Sequence, residues 1–340
     1  MSSAASAEAS EPLAGRPSSE KKATAQAVLG FILRKLGGAA ATMLAVSFLV
    51  FLALEVNVGD VAVKVLGQFS TPDQRAAWLL EHGYRDPFVL RYGRWLWAFV
   101  SGDWGTSTYY HAPIAGLVLN RLGASLILAG GALLFMVPTA LLLGVLAGMH
   151  EGSVTDRAVS VFSILTTSIP DFASAVFMSA IFVFWLDLLP GASTELLGFS
   201  FRELILPVLV LSLYSLGYLA RITRASMADV MRTHYVRTAR LKGASRTRIV
   251  LRHALRNALI APVTVIMLQV PWLLSGVIVV EVFFAYKGFG TLLYDAALNS
   301  DVYLIEACAM VSVLVVVLTQ ILSDLAYTWL NPRISFSSGR

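Results

Sequence analysis

Residues 122–149 read Leu122-Gly-Ala-Ser-Leu-Ile-Leu-Ala-Gly-Gly-Ala-Leu-Leu-Phe-Met-Val-Pro-Thr-Ala-Leu-Leu-Leu-Gly-Val-Leu-Ala-Gly-Met149, and none of them is charged. A helix needs about 20 predominantly apolar residues to cross the hydrocarbon core of a bilayer, which is ~30 Å thick. Backbone amides in lipid must be satisfied within the segment, so a run of this length predicts a transmembrane helix. A β-barrel strand would alternate in polarity at every second residue, and this stretch does not.

Similar runs recur on both sides of this segment, and the whole chain is 57% hydrophobic and only 14% charged. A soluble domain of 340 residues would carry nearly twice that share of charge. The composition therefore predicts an all-α membrane protein with about six transmembrane helices. The predicted spans are Leu36–Leu54, Leu122–Met149, Ala158–Trp185 with an interruption at Asp171, Leu204–Ala220, Asn257–Val280 and Ala307–Ser323.

The distribution of Lys and Arg predicts the orientation of these spans. One side holds 18 of the 26 basic residues, and cytoplasmic loops carry this excess. Both termini are therefore predicted in the cytoplasm, in a multi-pass protein of the cytoplasmic membrane. The outer segment, residues 55–121, is rich in Trp and Tyr and should contain short helices at the membrane interface.

The remaining composition excludes several kinds of protein. Residues 1–28 are rich in Ala, Ser and Glu and are expected to form a disordered cytoplasmic tail, with the transmembrane domain at 29–334 and a short cytoplasmic tail at 335–340. The lone Cys308 allows no internal disulfide and no thiol metal cluster. The net charge of +5 is concentrated in one loop without interleaved aromatic residues, which argues against nucleic-acid binding.

That loop, residues 221–256, contains ten basic residues and one acidic residue, Asp229. Its apolar residues recur at helical spacing, which predicts two short helices on the cytoplasmic side. Gly243 can end the first helix with a positive φ, and Ser245 can cap the second. From the residues alone, a surface helix pair that holds anionic lipid headgroups remains open beside a docking site for another protein.

The segment Tyr235-Val-Arg-Thr-Ala-Arg-Leu-Lys-Gly243, followed by Arg252-His-Ala-Leu-Arg-Asn-Ala-Leu259, resembles the EAA loop of ABC importer permeases. It is most similar to their dipeptide, oligopeptide and nickel branch. Two positions depart from the general pattern: Arg237-Thr238 replaces Glu-Ala, and Leu255-Arg256 stands where other branches have Leu-Pro. Both variants occur in the peptide branch, and they make the loop more basic.

Shorter motifs extend the resemblance from Phe31 to Ile334. Ser101-Gly-Asp-Trp-Gly-Thr-Ser107 is similar to the end of the family's outer segment, and Thr167-Ser-Ile-Pro-Asp-Phe172 to its third span. Gly288-Phe-Gly290 is similar to its C-terminal third. Departures at Asn57–Val61 and at Tyr286-Lys287 lie on the outer side, so they affect the identity of the solute rather than the class of protein.

The resemblance implies a type I ABC importer permease fold with a cytoplasmic coupling loop. Its implied partners are a second homologous permease, two ABC ATPases, an extracytoplasmic solute-binding protein and membrane lipid. No Gly-x-x-x-x-Gly-Lys-Ser/Thr loop occurs in the sequence, so ATP and Mg are expected on the ATPases and no cofactor on this chain. The residues expected to couple to the ATPases are Tyr235, Val236, Arg237, Thr238, Ala239, Arg240, Leu241, Lys242, Gly243, Ala244 and Ser245.

Other polar residues are candidates for the pathway and for the outer docking surface. Ionisable residues within spans are costly and mark functional positions. Two structural alternatives stay open: Asp171 starts a helix after Pro170, and Glu281 lies near an interface or pairs with the second permease. The pathway candidates are Thr167, Asp171, Gln269 and Glu281. The candidates for docking of the binding protein are Asp103, Trp104 and Lys287.

The expected function is half of the translocation pathway for dipeptides, oligopeptides or similar solutes. A nickel or metal-chelate permease of the same branch is the alternative within transport. A membrane-embedded enzyme is a more remote alternative, but the five His residues show no His-Glu-x-x-His pattern. No catalytic residue and no metal ligand is therefore expected.

Overall fold

The computed structural model describes residues 18–55, 58–193 and 200–330, and the ordered elements within these ranges are helical. The helices are α1 (Ser18–Glu55), α2 (Val58–Leu66), α3 (Pro72–Glu81), α4 (Phe88–Ser101), α5 (Ile114–Met149), α6 (Val154–Ser168), α7 (Asp171–Ser179), α8 (Phe201–Met231), α9 (His234–Leu241), α10 (Arg246–Ile249), α11 (Leu255–Ala258), α12 (Ile260–Phe283), α13 (Phe289–Leu298) and α14 (Val302–Leu330). Single π-helical stretches follow α7, at Ala180–Trp185, and α10, at Val250–Ala254.

The predicted spans are confirmed as helices, and two of them are bent. Four helices among the described residues are long and apolar enough to cross a membrane, and the number rises to six if each bent pair is one span. The third span bends by 108° between Ser168 and Asp171, because Pro170 cannot continue α6. The fifth bends by 48° between Ala258 and Ile260.

The N-terminal helix begins earlier than the sequence suggested. Its bounds, Ser18–Glu55, include residues 18–28 of the predicted disordered tail. Ala, Lys and Glu dominate that stretch and are strong helix formers, so the helix can continue beyond the apolar span. Residues 1–17 of that tail, Asn57 and the tail at 335–340 lie outside the described residues.

The core of the protein lies where α5 crosses α8. Small residues let the two backbones approach, as is usual for helices that associate in membranes. A Cβ atom added at Gly144 would lie 2.5 Å from Thr223 Cβ, and one added at Gly148 would lie 2.6 Å from the Arg224 carbonyl oxygen. Helices α6, α7 and α12 pack around this crossing. Replacing either glycine would therefore push the two central helices apart.

Two smaller apolar clusters lie away from this core. One joins the start of α5 to α13 and α14, with Trp104 packed against its edge. The other joins Met227 of α8 to Val250, Ala254 and Ala258 in the second half of the basic loop, residues 221–256. The segment 55–121 and the basic loop are therefore both anchored to the bundle.

The outer segment contains the predicted short helices. Helix α4 stacks its aromatic face on α1, where Phe51 meets Phe88 and Trp95 at centroid distances of 5.3 and 5.4 Å. The 14 residues of α4 are too few to span a bilayer, at 1.5 Å of rise per residue. The segment therefore covers the outer part of the bundle without crossing the membrane independently.

Candidate functional site: the basic loop between α8 and α12

Helix α9 ends in the turn that the sequence predicted at Gly243. This residue has a φ of +78°, in the left-handed region where a glycine carries no Cβ penalty. Its N–H donates to the Arg240 carbonyl at 3.0 Å, and the Ala244 N–H donates to the Ala239 carbonyl at 3.2 Å. These two bonds form a Schellman motif, which satisfies the last carbonyls of the helix.

The second half of the loop follows at once. Ser245 Oγ accepts a hydrogen bond from the Arg248 N–H at 3.4 Å, so the expected cap is present although long. The helical turns from Arg246 to Ala258 then return the chain to α12. The predicted pair of short helices is therefore confirmed, with a π-helical stretch inside the second one.

The loop is packed against the bundle through its inner face. Val236 of α9 is fully buried. The Asn257 amide donates to the Tyr235 hydroxyl at 3.0 Å, and the Ser226 hydroxyl donates to the Ala258 carbonyl at 2.7 Å. The Tyr235–Asn257 bond holds α9 against α11, and the Ser226–Ala258 bond joins α11 to α8.

The outer face of α9 is basic and carries one large apolar side chain. Arg237, Arg240 and Lys242 are exposed, and Leu241 between the last two is 81% exposed. The segment from Arg232 to Arg256 contains no Asp or Glu. This face therefore combines an apolar projection with a ring of positive charge, which suits contact with an acidic surface.

The candidate pathway residues Thr167 and Asp171 lie together at the bend of the third span. Both are half-buried. The Thr167 hydroxyl donates to the Ser163 carbonyl at 2.8 Å. Asp171 occupies the first turn of α7 directly after Pro170, where a carboxylate interacts favourably with the helix N-terminus.

The other two pathway candidates are placed elsewhere. Gln269 is buried between α12 and α8 and accepts a hydrogen bond from the Ser215 hydroxyl at 3.3 Å. Glu281 is fully buried; it accepts the Ser125 hydroxyl and, at 3.0 Å, the Thr291 N–H at the start of α13. Within this chain, Glu281 therefore anchors a helix rather than lining an open space.

The three candidates for outer docking differ in exposure. Asp103 and Lys287 are exposed, and Asp103 accepts the Gly105 N–H at 3.3 Å. Trp104 is half-buried, because its ring stacks on Phe99 at 5.1 Å and its indole N–H donates to the Phe99 carbonyl at 2.9 Å. Asp103 and Lys287 thus have side chains free to meet a protein, whereas Trp104 supports the local fold.

Buried carboxylates at the outer end were missed from the sequence. Asp301 is fully buried and accepts the Ser107 hydroxyl at 2.6 Å and the Leu304 N–H at 3.2 Å. The nearby Tyr110 hydroxyl donates to Asp295 at 2.8 Å. Burial is the larger cause and this hydrogen bond the smaller, and together they raise the pKa of Tyr110 to about 12. The sequence signal for Asp301 was an Asp three residues before an N–H in the first turn of a helix, but this spacing is common in turns.

An ion-pair network at the cytoplasmic end was also missed. Arg224 of α8 binds Asp156 of α6 through two hydrogen bonds, and Arg232 binds Glu151 in the turn between α5 and α6. The pattern Ser153-Val-Thr-Asp156 predicts a helix start, which the structure has. Nothing in the sequence pairs Asp156 with Arg224, because the two lie on different helices.

Comparison with known proteins identifies the class of protein to which this fold and loop correspond. Residues 140–336 match the family of binding-protein-dependent transport system inner membrane components. The matched region includes the loop and the spans on both sides of it. The chain belongs to this family, and it is a multi-pass membrane permease subunit of an ABC importer.

Individual relatives align over most of the chain. A protein of Brucella abortus (strain 2308), named as a peptide transport system permease, is 33% identical over 310 residues, which cover 90% of this chain and 98% of that protein. The dipeptide transport system permease protein DppB of Escherichia coli (strain K12) is 31% identical over 336 residues, covering 90% and 99%. The oligopeptide transport system permease protein AppB of Bacillus subtilis is 29% identical over 313 residues, with the same coverage.

A solved structure supports the fold. The MetNI methionine ABC transporter in its inward-facing conformations contains a chain that matches with a TM-score of 0.51 and 18% identity. The match covers 64% of this chain and 98% of that one. The type I permease fold is therefore confirmed, and about a third of this chain lies outside the matched part.

Proposed function

We propose that this chain forms half of the translocation pathway of an ATP-driven peptide importer and receives an ATPase subunit on α9. One observation carries the proposal: α9 is held rigidly by its inner face, while its outer face presents Leu241 within a ring of basic side chains. A helix that only contacted lipid headgroups would not need to be held rigidly while it projects into the cytoplasm. An ATPase groove with an apolar socket and an acidic rim would fit this face.

The proposed assembly contains a second homologous permease, two ATPases that hold ATP and Mg, and an extracytoplasmic binding protein. The family description, which refers to binding-protein-dependent transport, supports the last of these partners. The proposal puts both termini in the cytoplasm with α9, and Asp103 and Lys287 on the opposite side of the membrane, where they would meet the binding protein. The basic character of the α9 side supports this orientation.

The proposed pathway lies beside the bend of the third span and the centre of the fifth. Thr167 and Asp171 at the bend, with Gln269 on α12, supply polar groups within otherwise apolar helices. Glu281 is excluded from this set because its carboxylate is enclosed and bonded to Ser125 and α13. Movement of α9 with the ATPases would alternately expose this region to the two sides by rigid-body rotation.

The proposed solute class is dipeptides and oligopeptides, which the names of the three relatives support. The nickel or metal-chelate alternative is tested in the same transport assay. Proteoliposomes that contain the assembly should accumulate a labelled dipeptide or oligopeptide in an ATP-dependent manner. Accumulation of a nickel chelate instead of any peptide would move the chain to the other solute class.

The docking proposal is tested by purification through a tag on this chain, expressed with its partner permease and ATPases. Gly243→Pro should abolish ATPase co-purification, because proline fixes φ near −65° and removes the N–H that bonds Arg240. Gly243→Asn is the matched control, since Asn tolerates the left-handed region. If the native, folded chain brings down no ATPase, the proposal is wrong.

A further inference from the structure

The ion-pair network beside α9 contains a buried fork that joins two spans. Arg224 Nε donates to Asp156 Oδ1 at 2.8 Å, and Nη2 donates to Oδ2 at 2.7 Å. Asp156 is only 3% exposed and also accepts the Gly152 N–H at 2.9 Å. A two-bond contact of this kind fixes the orientation of the partners as well as their distance.

A second pair continues the network toward α9. Arg232, which directly follows the last residue of α8, donates to Glu151 through Nη2 at 2.6 Å and Nε at 3.1 Å. Arg224 Nη2 lies 3.9 Å from the same Glu151 carboxylate. Helix α9 begins shortly after, at His234. The network therefore reaches from the start of the docking helix to the start of α6.

The surroundings make this region one rigid block. The Gly148 backbone of α5 packs so closely on α8 that an added Cβ would lie 2.6 Å from the Arg224 carbonyl. Ser153 caps α6 and Asp156 lies in its first turn. Helix α6 then runs without interruption to Ser168, where the span bends by 108°. A displacement of α8 near Arg224 is thus passed through Asp156 to the first turn of α6. The other end of α6 lies at the bend.

We infer that Asp156 and Arg224 are positioning residues that transmit movement of the docking helix to the bend between α6 and α7. The inference rests on the proposed function, because a docked ATPase supplies that movement. Apolar packing also holds α8 beside α6, but apolar contacts by themselves would let the two helices slide past each other. The fork cannot slide without breaking two charge-assisted hydrogen bonds and leaving a buried carboxylate without its partner.

Two variants separate transmission from folding. Arg224→Lys keeps the charge but loses the planar fork, and Asp156→Asn keeps an acceptor for the Gly152 N–H but removes the charge. Lys35→Gln is the matched control, because it removes another ion pair between spans, Lys35 to Asp324 at 2.6 Å, which lies outside this block.

Each variant is purified with the complete assembly and reconstituted into proteoliposomes, where bound ATPase, peptide uptake and ATP hydrolysis are measured. A structural readout is added by Ser168→Cys, an exposed position at the bend, labelled with a maleimide with and without ATP. The native Cys308 is buried, so its background labelling is low.

Arg224→Lys and Asp156→Asn should retain bound ATPase but lose about tenfold in peptide transported per ATP, as expected for loss of a coupling free energy. The ATP-dependent change in labelling at position 168 should also disappear. Lys35→Gln should behave as the native chain. If Asp156→Asn fails to fold, the result for Arg224→Lys tests the inference.

Two results would overturn the inference. The first is that, in both variants, peptide uptake per ATP stays within about twofold of the native value and labelling at position 168 still responds to ATP. A twofold change in this ratio is a negligible change in coupling. The second is a folded variant that loses its ATPase, which would make the pair part of docking. A native chain without bound ATPase would instead refute the proposed function, so the two failures are distinguishable.

Discussion

The two ends of this permease use charged side chains in opposite ways. On the α9 side, the bases of α9 are exposed and the segment from Arg232 to Arg256 has no acid to pair with them. At the opposite end, the carboxylates of Glu281 and Asp301 are fully buried and accept backbone N–H groups at the starts of helices. Exposed charge can attract an oppositely charged surface, whereas buried and hydrogen-bonded charge holds helices in place.

The difference fits the proposed function, in which the α9 side meets an ATPase subunit. Charges that stay hydrated on that side act at a distance. The enclosed hydrogen bonds at the opposite end are strong because no water competes with them. Asp156 and Arg224 combine the two uses, because a buried pair lies directly beside the exposed loop.

The largest effect is expected at the outer end, from Glu281→Ala. The substitution leaves the Ser125 hydroxyl and the Thr291 N–H without their acceptor, and each buried unsatisfied donor costs about 1–3 kcal/mol. The free energy of unfolding should fall by several kcal/mol, measured by thermal unfolding in detergent with tryptophan fluorescence.

The control for Glu281→Ala is Asp86→Ala, which removes an ion pair with Arg94 that is exposed at the same end. Exposed pairs contribute about 0–1 kcal/mol, so its unfolding temperature should stay close to that of the native chain. Equal stability of the Glu281→Ala and native proteins would mean that the carboxylate is not an anchor.

The second effect concerns the exposed charge of α9. The double variant Arg240→Gln with Lys242→Gln should weaken ATPase binding about tenfold at low salt, and the difference should shrink as salt screens the charges. Binding of the ATPase to the chain in lipid nanodiscs, measured across a salt series, checks this result. Arg94→Gln is the control on the outer side. Native binding that does not respond to salt would contradict an acidic partner surface.

The third effect separates recognition from packing within α9 itself. Leu241→Ala should weaken ATPase binding about fivefold without changing thermal stability, because the side chain is 81% exposed before docking. Val236→Ala should instead lower the free energy of unfolding by about 1–3 kcal/mol, because it leaves a cavity in a buried site. Loss of stability in Leu241→Ala would show that the leucine packs within this chain.

The smallest effect is expected for Tyr110→Phe, which removes the hydrogen bond to Asp295 at the outer end. A single neutral donor at a partly exposed site contributes about 1 kcal/mol or less to stability. Because the pKa of Tyr110 is raised to about 12, the hydroxyl stays protonated and the difference should be constant between about pH 6 and pH 9. Tyr109→Phe, at an exposed neighbour, is the control; a pH-dependent difference would contradict the assignment.

The class of fold and the position of the loop could both be predicted from a single sequence. Uncharged runs such as residues 122–149 can only be helices in lipid, because no water is present to satisfy an open backbone. Gly243 likewise predicted the end of α9, since a positive φ is a local property of the chain. These features depend on neighbours in sequence, so a single sequence is sufficient to find them.

Which polar side chains are enclosed and which are accessible follows instead from how the helices pack together. Glu281 was expected to be a pathway candidate, but α13 folds back so that its first N–H groups meet that carboxylate. The fork between Asp156 and Arg224 joins residues from two spans, and no local pattern marks the pair. Hydration and pairing of a charge depend on which helices meet around it, and that arrangement is set by packing across the whole bundle.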